Sequence, residues 1–435
     1  MKKFLLLVLL LSTTYINGQI VSTLAGSTTH GSADGIGSAA GFWNPSGVTA
    51  DTIGNLYVTD GLNNEIRKII ISTGQVTTMA GSTASGSADG IGALARFNQP
   101  LGITYDGAGN LYVADPINNE IRKIIISTGQ VTTIAGSTTS GSANGTDTAA
   151  KFNLPSGVAC DGNGNLFVAD HNNNMIRKIV ISTGVVSTLA GSTTQGFANG
   201  IGTAAKFYFP IGLVCDGNGN LFVTDNYNYM IRKIIISSGL VSTLAGYTTQ
   251  STPIDGTGTA AGFGDPNGII YDGNGNLFVT EASFNKIRKI VISSAVVTTI
   301  AGTGTHGSTD GIGTAASFNA PKGITCDKNG NLYIADGIND EIRMITNTPM
   351  GIEKVKDITN EIVVYPNPAQ NNLIIETNSS EKQSLQIFDV NGNLILSQSI
   401  NDKTNVDASS LNTGVYNISI IGSEGVTNKR LVIIR

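Results

Sequence analysis

Histidine, cysteine and tryptophan are scarce in this 435-residue chain, which has three, three and one of them. Three histidines, His30, His171 and His306, are too few and too scattered for the convergent His, Glu and metal-ligand set that metal-dependent catalysis requires. No catalytic residue, metal or cofactor is therefore expected. Charged residues make up 13% of the chain and the formal net charge is −5, so the clustered Lys/Arg footprint of a nucleic-acid binder is missing. Long apolar runs are also missing. The longest, Phe4 to Leu11, is too short to span a bilayer, and with Lys2 and Lys3 before it and polar residues up to Gly18 after it, it has the form of a secretory signal peptide over residues 1–18. No cysteine follows the cleavage point, so no N-terminal lipid anchor and no transmembrane segment of the mature chain are expected.

Glycine, by contrast, is abundant, with 54 residues, and the glycines fall in a repeat. Prolines at Pro45, Pro100, Pro155, Pro210, Pro266 and Pro321 open six copies of one unit, spaced 55, 55, 55, 56 and 55 residues apart. In the third copy, four Val/Ile/Thr-rich runs (Gly157–Asp161, Asn165–Asp170, Met175–Ser182 and Val185–Gly191) are separated by Gly/Asn/Asp/Ser turns, the pattern of a four-stranded antiparallel meander. Runs such as Ile176 to Ile181 are apolar on both faces, which suits a sheet packed between two others. Radial repetition of such sheets is a six-bladed β-propeller.

The ends of the array predict closure. The sixth copy stops after Glu341–Ile345 without a fourth strand, and Ile20–Gly26 is a fourth strand with no first three before it. Pairing them completes the last blade and removes the exposed edges. The propeller is thus expected over 19–346, with a polar linker over 347–361 and a small β-sandwich of short strands over 362–435.

Several motifs have structural explanations. Gly35-Ile-Gly-Ser-Ala-Ala40 matches a dinucleotide-binding fingerprint in letters only, because Phe42 and Pro45 end the segment where a helix should follow. Asp161-Gly-Asn-Gly-Asn165 lacks the later calcium-loop positions, which are Leu166 and Asn172, and is expected to be a hairpin turn. Asp60, Asp115, Asp170, Asp225, Glu281 and Asp336 each precede an arginine by seven residues and read as one scaffold ion pair per repeat. Cys160, Cys215 and Cys326 occupy one position of different repeats, which keeps them apart and makes them structural thiols.

The pattern Pro100-Leu-Gly-Ile103, Gly109-Asn-Leu-Tyr-Val-Ala-Asp115 and Ile121-Arg-Lys-Ile124 resembles the NHL repeat, and the resemblance covers Ile20 to Ile345. It implies a propeller used for scaffolding and recognition and by a few enzymes. The ordered set Tyr365-Pro-Asn-Pro-Ala369, Phe388-Asp-Val-Asn-Gly392, Leu411-Asn-Thr-Gly-Val-Tyr416 and Lys429-Arg-Leu-Val-Ile433 resembles the C-terminal sorting domain of the type IX secretion system. That resemblance implies a Gram-negative source, the type IX machinery as a partner, and a protein attached to the outer cell surface or released.

A rigid array places function in its loops. The segments between repeats and those joining second and third strands should share one rim, and there the third to fifth copies collect aromatic residues: His171, Tyr208, Phe209, Tyr227, Tyr229, Tyr247 and Phe284. Such side chains either pack between blades or anchor a sugar or a partner protein. The expected function is non-enzymatic recognition of a polysaccharide or protein through this long-loop face. The rivals are a propeller lyase or lactonase and a purely structural surface protein.

Overall fold

The computed structural model describes residues 19–249, 251–346, 363–377, 381–389, 393–422 and 425–435. The expected signal peptide and linker lie outside these. The chain divides into two compact units, Met1–Thr348 and Pro349–Arg435. Described residues are all-β: strands linked by turns and three-residue 3-10 segments, with no α-helix among them.

The first unit is a propeller-like array of six antiparallel sheets, one per repeat. In repeat three the strands are Pro155–Cys160, Asn165–Asp170, Met175–Val180 and Val185–Gly191, paired in that order. Each sheet has five strands rather than the expected four. The segment entering a repeat adds a two-residue strand outside the fourth, as Gly35–Ile36 does against Gln75 and Val76. Two residues carry no periodicity of their own, so only the pairing reveals them, and they cover an edge that would otherwise be exposed.

Ile20–Gly26 pairs with Glu341–Thr346, from Ile20 opposite Thr346 to Gly26 opposite Glu341, and so supplies the missing strand of the sixth sheet. First strands of successive repeats meet through glycine. A Cβ on Gly47 would run into the carbonyl of Leu101, on Gly102 into Ser156, on Gly157 into Ile211, on Gly212 into Asn267 and on Gly268 into Lys322. The sequence of contacts returns to its start, because a Cβ on Gly323 would lie 2.5 Å from the carbonyl oxygen of Ser46.

Each repeat is pinned by a fully buried arginine. Arg67 donates from Nη1 to Asp60 Oδ2 and to Gly41 O, both at 2.8 Å, and from Nη2 to Ala33 O and Asp34 Oδ1, both at 3.0 Å. Its guanidinium lies 5.2 Å from the Phe42 ring centre. The entering loop is thereby tied to its own sheet, and the same acid–arginine–phenylalanine set recurs through Arg343, with Glu281 replacing Asp in repeat five. Opposite this rim, Asp161 spends both carboxylate oxygens on its turn, accepting from the amides of Asn163 and Asn165 and from the Asn165 side chain. The thiols are unpaired, and burial pushes Cys160 up to about 12 and Cys326 to about 11.

The second unit contains a three-stranded sheet of Val363–Tyr365, Asn372–Glu376 and Lys403–Asp407 and a four-stranded sheet of Leu394–Ile400, Gln383–Phe388, Gly414–Gly422 and Gly425–Ile433. Leu373 and Ile375 from the first share one core with Leu385, Ile387, Ile418 and Leu431 from the second.

Candidate recognition site

The residue between the opening proline and its glycine differs from repeat to repeat: Ser46, Leu101, Ser156, Ile211, Asn267 and Lys322. All six line a cavity of about 380 Å³, together with Gln99, Pro116, Ile117, Leu154 and His171. The six first-strand glycines line it too. Lys322 donates to Asn44 Oδ1, and burial lowers its pKa.

His171 joins this cavity to the predicted aromatic residues. Its ring stacks on Phe209 at 4.7 Å and 16°. Phe209 in turn meets Tyr208 at 4.8 Å and Tyr227 at 5.0 Å, and Tyr208 meets Tyr227 at 5.1 Å. His171 Nδ1 lies 3.2 Å from the carbonyl of Pro210, which can only accept, so Nδ1 carries the proton and Nε2 is left as an acceptor. Burial lowers the pKa of this histidine.

A second cavity, of about 390 Å³, opens between repeats four and five beside Tyr227. It is lined by Asn226, Tyr227, Tyr229, Ser251, Gly264, Asp265, Ser283 and Phe284. The Asp265 carboxylate accepts from the Asn226 amide and, at 2.7 Å, from Ser283 Oγ.

The position of this opening has a local cause. At the other five junctions a side chain in the left-handed region reaches the next repeat: Asn64, Asn119, Asn174, Asn285 and Asp340 accept from the amides of Gln99, Leu154, Phe209, Ala320 and Asn44 at 2.6 to 2.9 Å. Tyr229 holds the matching place at φ 57°. A phenol ring cannot make that bond, and an aromatic residue is uncommon at such φ. Across the junction, Asp265 has φ 108° where its counterparts lie near 50–56°.

Of the sequence-predicted residues, His171, Tyr208 and Tyr227 therefore meet in one row, and Tyr227, Tyr229 and Phe284 line one cleft. Tyr247 is partly buried and lines neither cavity. Sequence reasoning missed Asp265 and Lys322. The signal that could have found Lys322 is the column Ser, Leu, Ser, Ile, Asn, Lys, which varies between an invariant proline and an invariant glycine.

Residues 363–434 match the family described as a secretion system C-terminal sorting domain. The array is similar to Protein SUPPRESSOR OF QUENCHING 1, chloroplastic, of Arabidopsis thaliana, 28% identical over 316 residues, 69% of this chain and 30% of that protein. It is also similar to NHL repeat-containing protein 2 of Homo sapiens, 28% identical over 337 residues, 69% of this chain and 46% of that protein. The chain thus spans less than half the length of these relatives. Two solved structures share the fold: a Bacteroides thetaiotaomicron protein of unknown function (TM-score 0.59, 23% identity, 75% of this chain and 76% of that one) and an auxiliary nutrient binding protein from Bacteroides ovatus (TM-score 0.57, 18% identity, 75% and 76%). The first unit is thus homologous to these NHL-repeat proteins, and the second matches a sorting domain that indicates export. No helix of the described residues is long and apolar enough to cross a membrane.

Proposed function

We propose that the chain is an exported binding protein: a closed six-bladed propeller that recognises a polysaccharide in the cleft between repeats four and five, followed by a β-sandwich that serves as its type IX sorting address. The observation that carries this is the replacement of the interrepeat asparagine by Tyr229, which leaves a cleft walled by Tyr227, Tyr229 and Phe284 beside the Asp265 carboxylate, Asn226 and Ser283. Flat aromatic faces cover the C–H faces of sugar rings, and carboxylate and amide groups beside them take hydroxyl hydrogens. Six equal repeats offer no such pocket; the asymmetry creates it.

The row Tyr208, Phe209, Tyr227 and His171 extends this surface towards the central cavity, so a chain of several sugar units has a path. A sorting address is consistent with a ligand outside the cell or on its surface. The test is a glycan array probed with the full chain. Binding to a defined set of polysaccharides supports the reading, retention of no glycan removes it, and cleavage of a bound glycan would place the chain with propeller lyases instead.

A further inference from the structure

The central cavity differs in chemistry from the cleft. It is ringed by the six glycines, each packed against the backbone of the next repeat. At about 380 Å³ it lies in the range of small-molecule sites, roughly 300–1,000 Å³. Repeats two to four contribute Leu101, Ile117, Leu154 and Ile211, an apolar wall that suits sugar hydroxyls poorly.

Repeat six, across the ring from repeat three, contributes Lys322, and among the described residues no acidic side chain lines the cavity. The half-buried ammonium has one neutral acceptor, Asn44 Oδ1, and among the described residues no carboxylate lies within ion-pair distance of it. Removing an ammonium from water without a counter-charge is costly, and burial accordingly lowers the pKa of Lys322. Nothing in the fold demands a lysine here, since the same place holds Ser, Leu, Ile or Asn in the other repeats.

We propose that this cavity is a second ligand site, which takes a small monocarboxylic acid with an apolar body, the carboxylate on Lys322 and the body against Leu101, Ile117, Leu154 and Ile211. His171 lines the opposite wall. A free acid and the C-terminal residue of a peptide share this chemistry.

The test is isothermal titration of the full chain with 4-phenylbutyrate, its uncharged amide and N-acetyl-phenylalanine. The acid should bind about tenfold or more tightly than the amide, the scale of a hydrogen bond to a charged group. Lys322→Gln should abolish that preference and Lys322→Arg should restore part of it. Tighter binding of N-acetyl-phenylalanine than of 4-phenylbutyrate assigns the site to peptide ends, and the reverse assigns it to free acids. No binding of either acid, equal affinity for acid and amide, or unchanged acid affinity in Lys322→Gln overturns the proposal. Tyr227→Ser/Tyr229→Ser should leave acid binding intact and Lys322→Gln should leave glycan binding intact, so each site can fail alone.

Discussion

The side chain of Asn174 accepts a hydrogen bond from the backbone amide of Phe209 at 2.9 Å, and one repeat later Tyr229 stands where that asparagine stood. The substitution gives up a latch between repeats and places a bulky residue in the left-handed region. Tyr229→Asn should restore both. Relief of the backbone contributes about 1 kcal/mol and the hydrogen bond about as much again, so thermal melting should show a rise of about 1–3 °C. A lower melting temperature would mean that Tyr229 is a packing residue.

Deleting Ile20 to Gly26 should lower stability by at least ~3 kcal/mol, because Val21 and Ala25 are fully buried and two strand edges would be exposed. Denaturant unfolding of the deletion reads this directly. An unchanged midpoint would remove the closing role of the strand. Gly323→Val attacks the same junction from the inner side, where its Cβ has no room beside Ser46.

Glu65, Glu120 and Glu341 sit two residues before their arginines, and burial pushes each up to about 7 from an ordinary value of 4.5, with neighbouring aspartates adding to the shift. The folded state therefore holds protons that the unfolded chain releases. Their contribution to stability is complete below about pH 4.5 and is lost as pH rises through about 7. Glu341 pairs with Gly26 of the N-terminal strand, so the loss falls partly on the pairing of the first strand with the last repeat. The gap between melting temperatures at pH 5 and pH 8 should narrow in Glu65→Gln/Glu120→Gln/Glu341→Gln, with Glu281 and the arginine-paired aspartates, which burial raises in the same direction, keeping the remainder; an unchanged gap would assign the pH dependence to those groups alone.

Removing residues 361–435 should leave the repeat array folded and strand it in the periplasm. Cell fractionation and circular dichroism of the truncated chain check the two halves separately. Normal surface display without the tail would contradict its role as an address, and an unfolded array would mean that the units depend on each other.

The six prolines, the seven-residue spacing of acid and arginine, and the unpaired Ile20–Gly26 strand were legible because each recurs, or conspicuously fails to recur, at a fixed step. The outer strand Gly35–Ile36 was not, since two residues carry no period. Nor was the strand Lys403–Asp407, because Lys-Thr-Asn-Val-Asp has little strand character and is held by pairing with Asn372–Glu376. At the site, aromatic enrichment found the row and the cleft but also drew in Tyr247, which lines neither. Asp265 and Lys322 stand in columns that vary from repeat to repeat, and their meaning depends on contacts across repeats that no local pattern encodes.

The recognition cleft is tested most directly by titrating wild-type protein and Tyr229→Asn with the polysaccharide that binds best on the array. Tyr229→Asn should melt no lower than wild type yet bind at least about tenfold more weakly, because closing the latch removes an aromatic wall worth ~1.5 kcal/mol or more. Equal affinity in a folded Tyr229→Asn protein would contradict it.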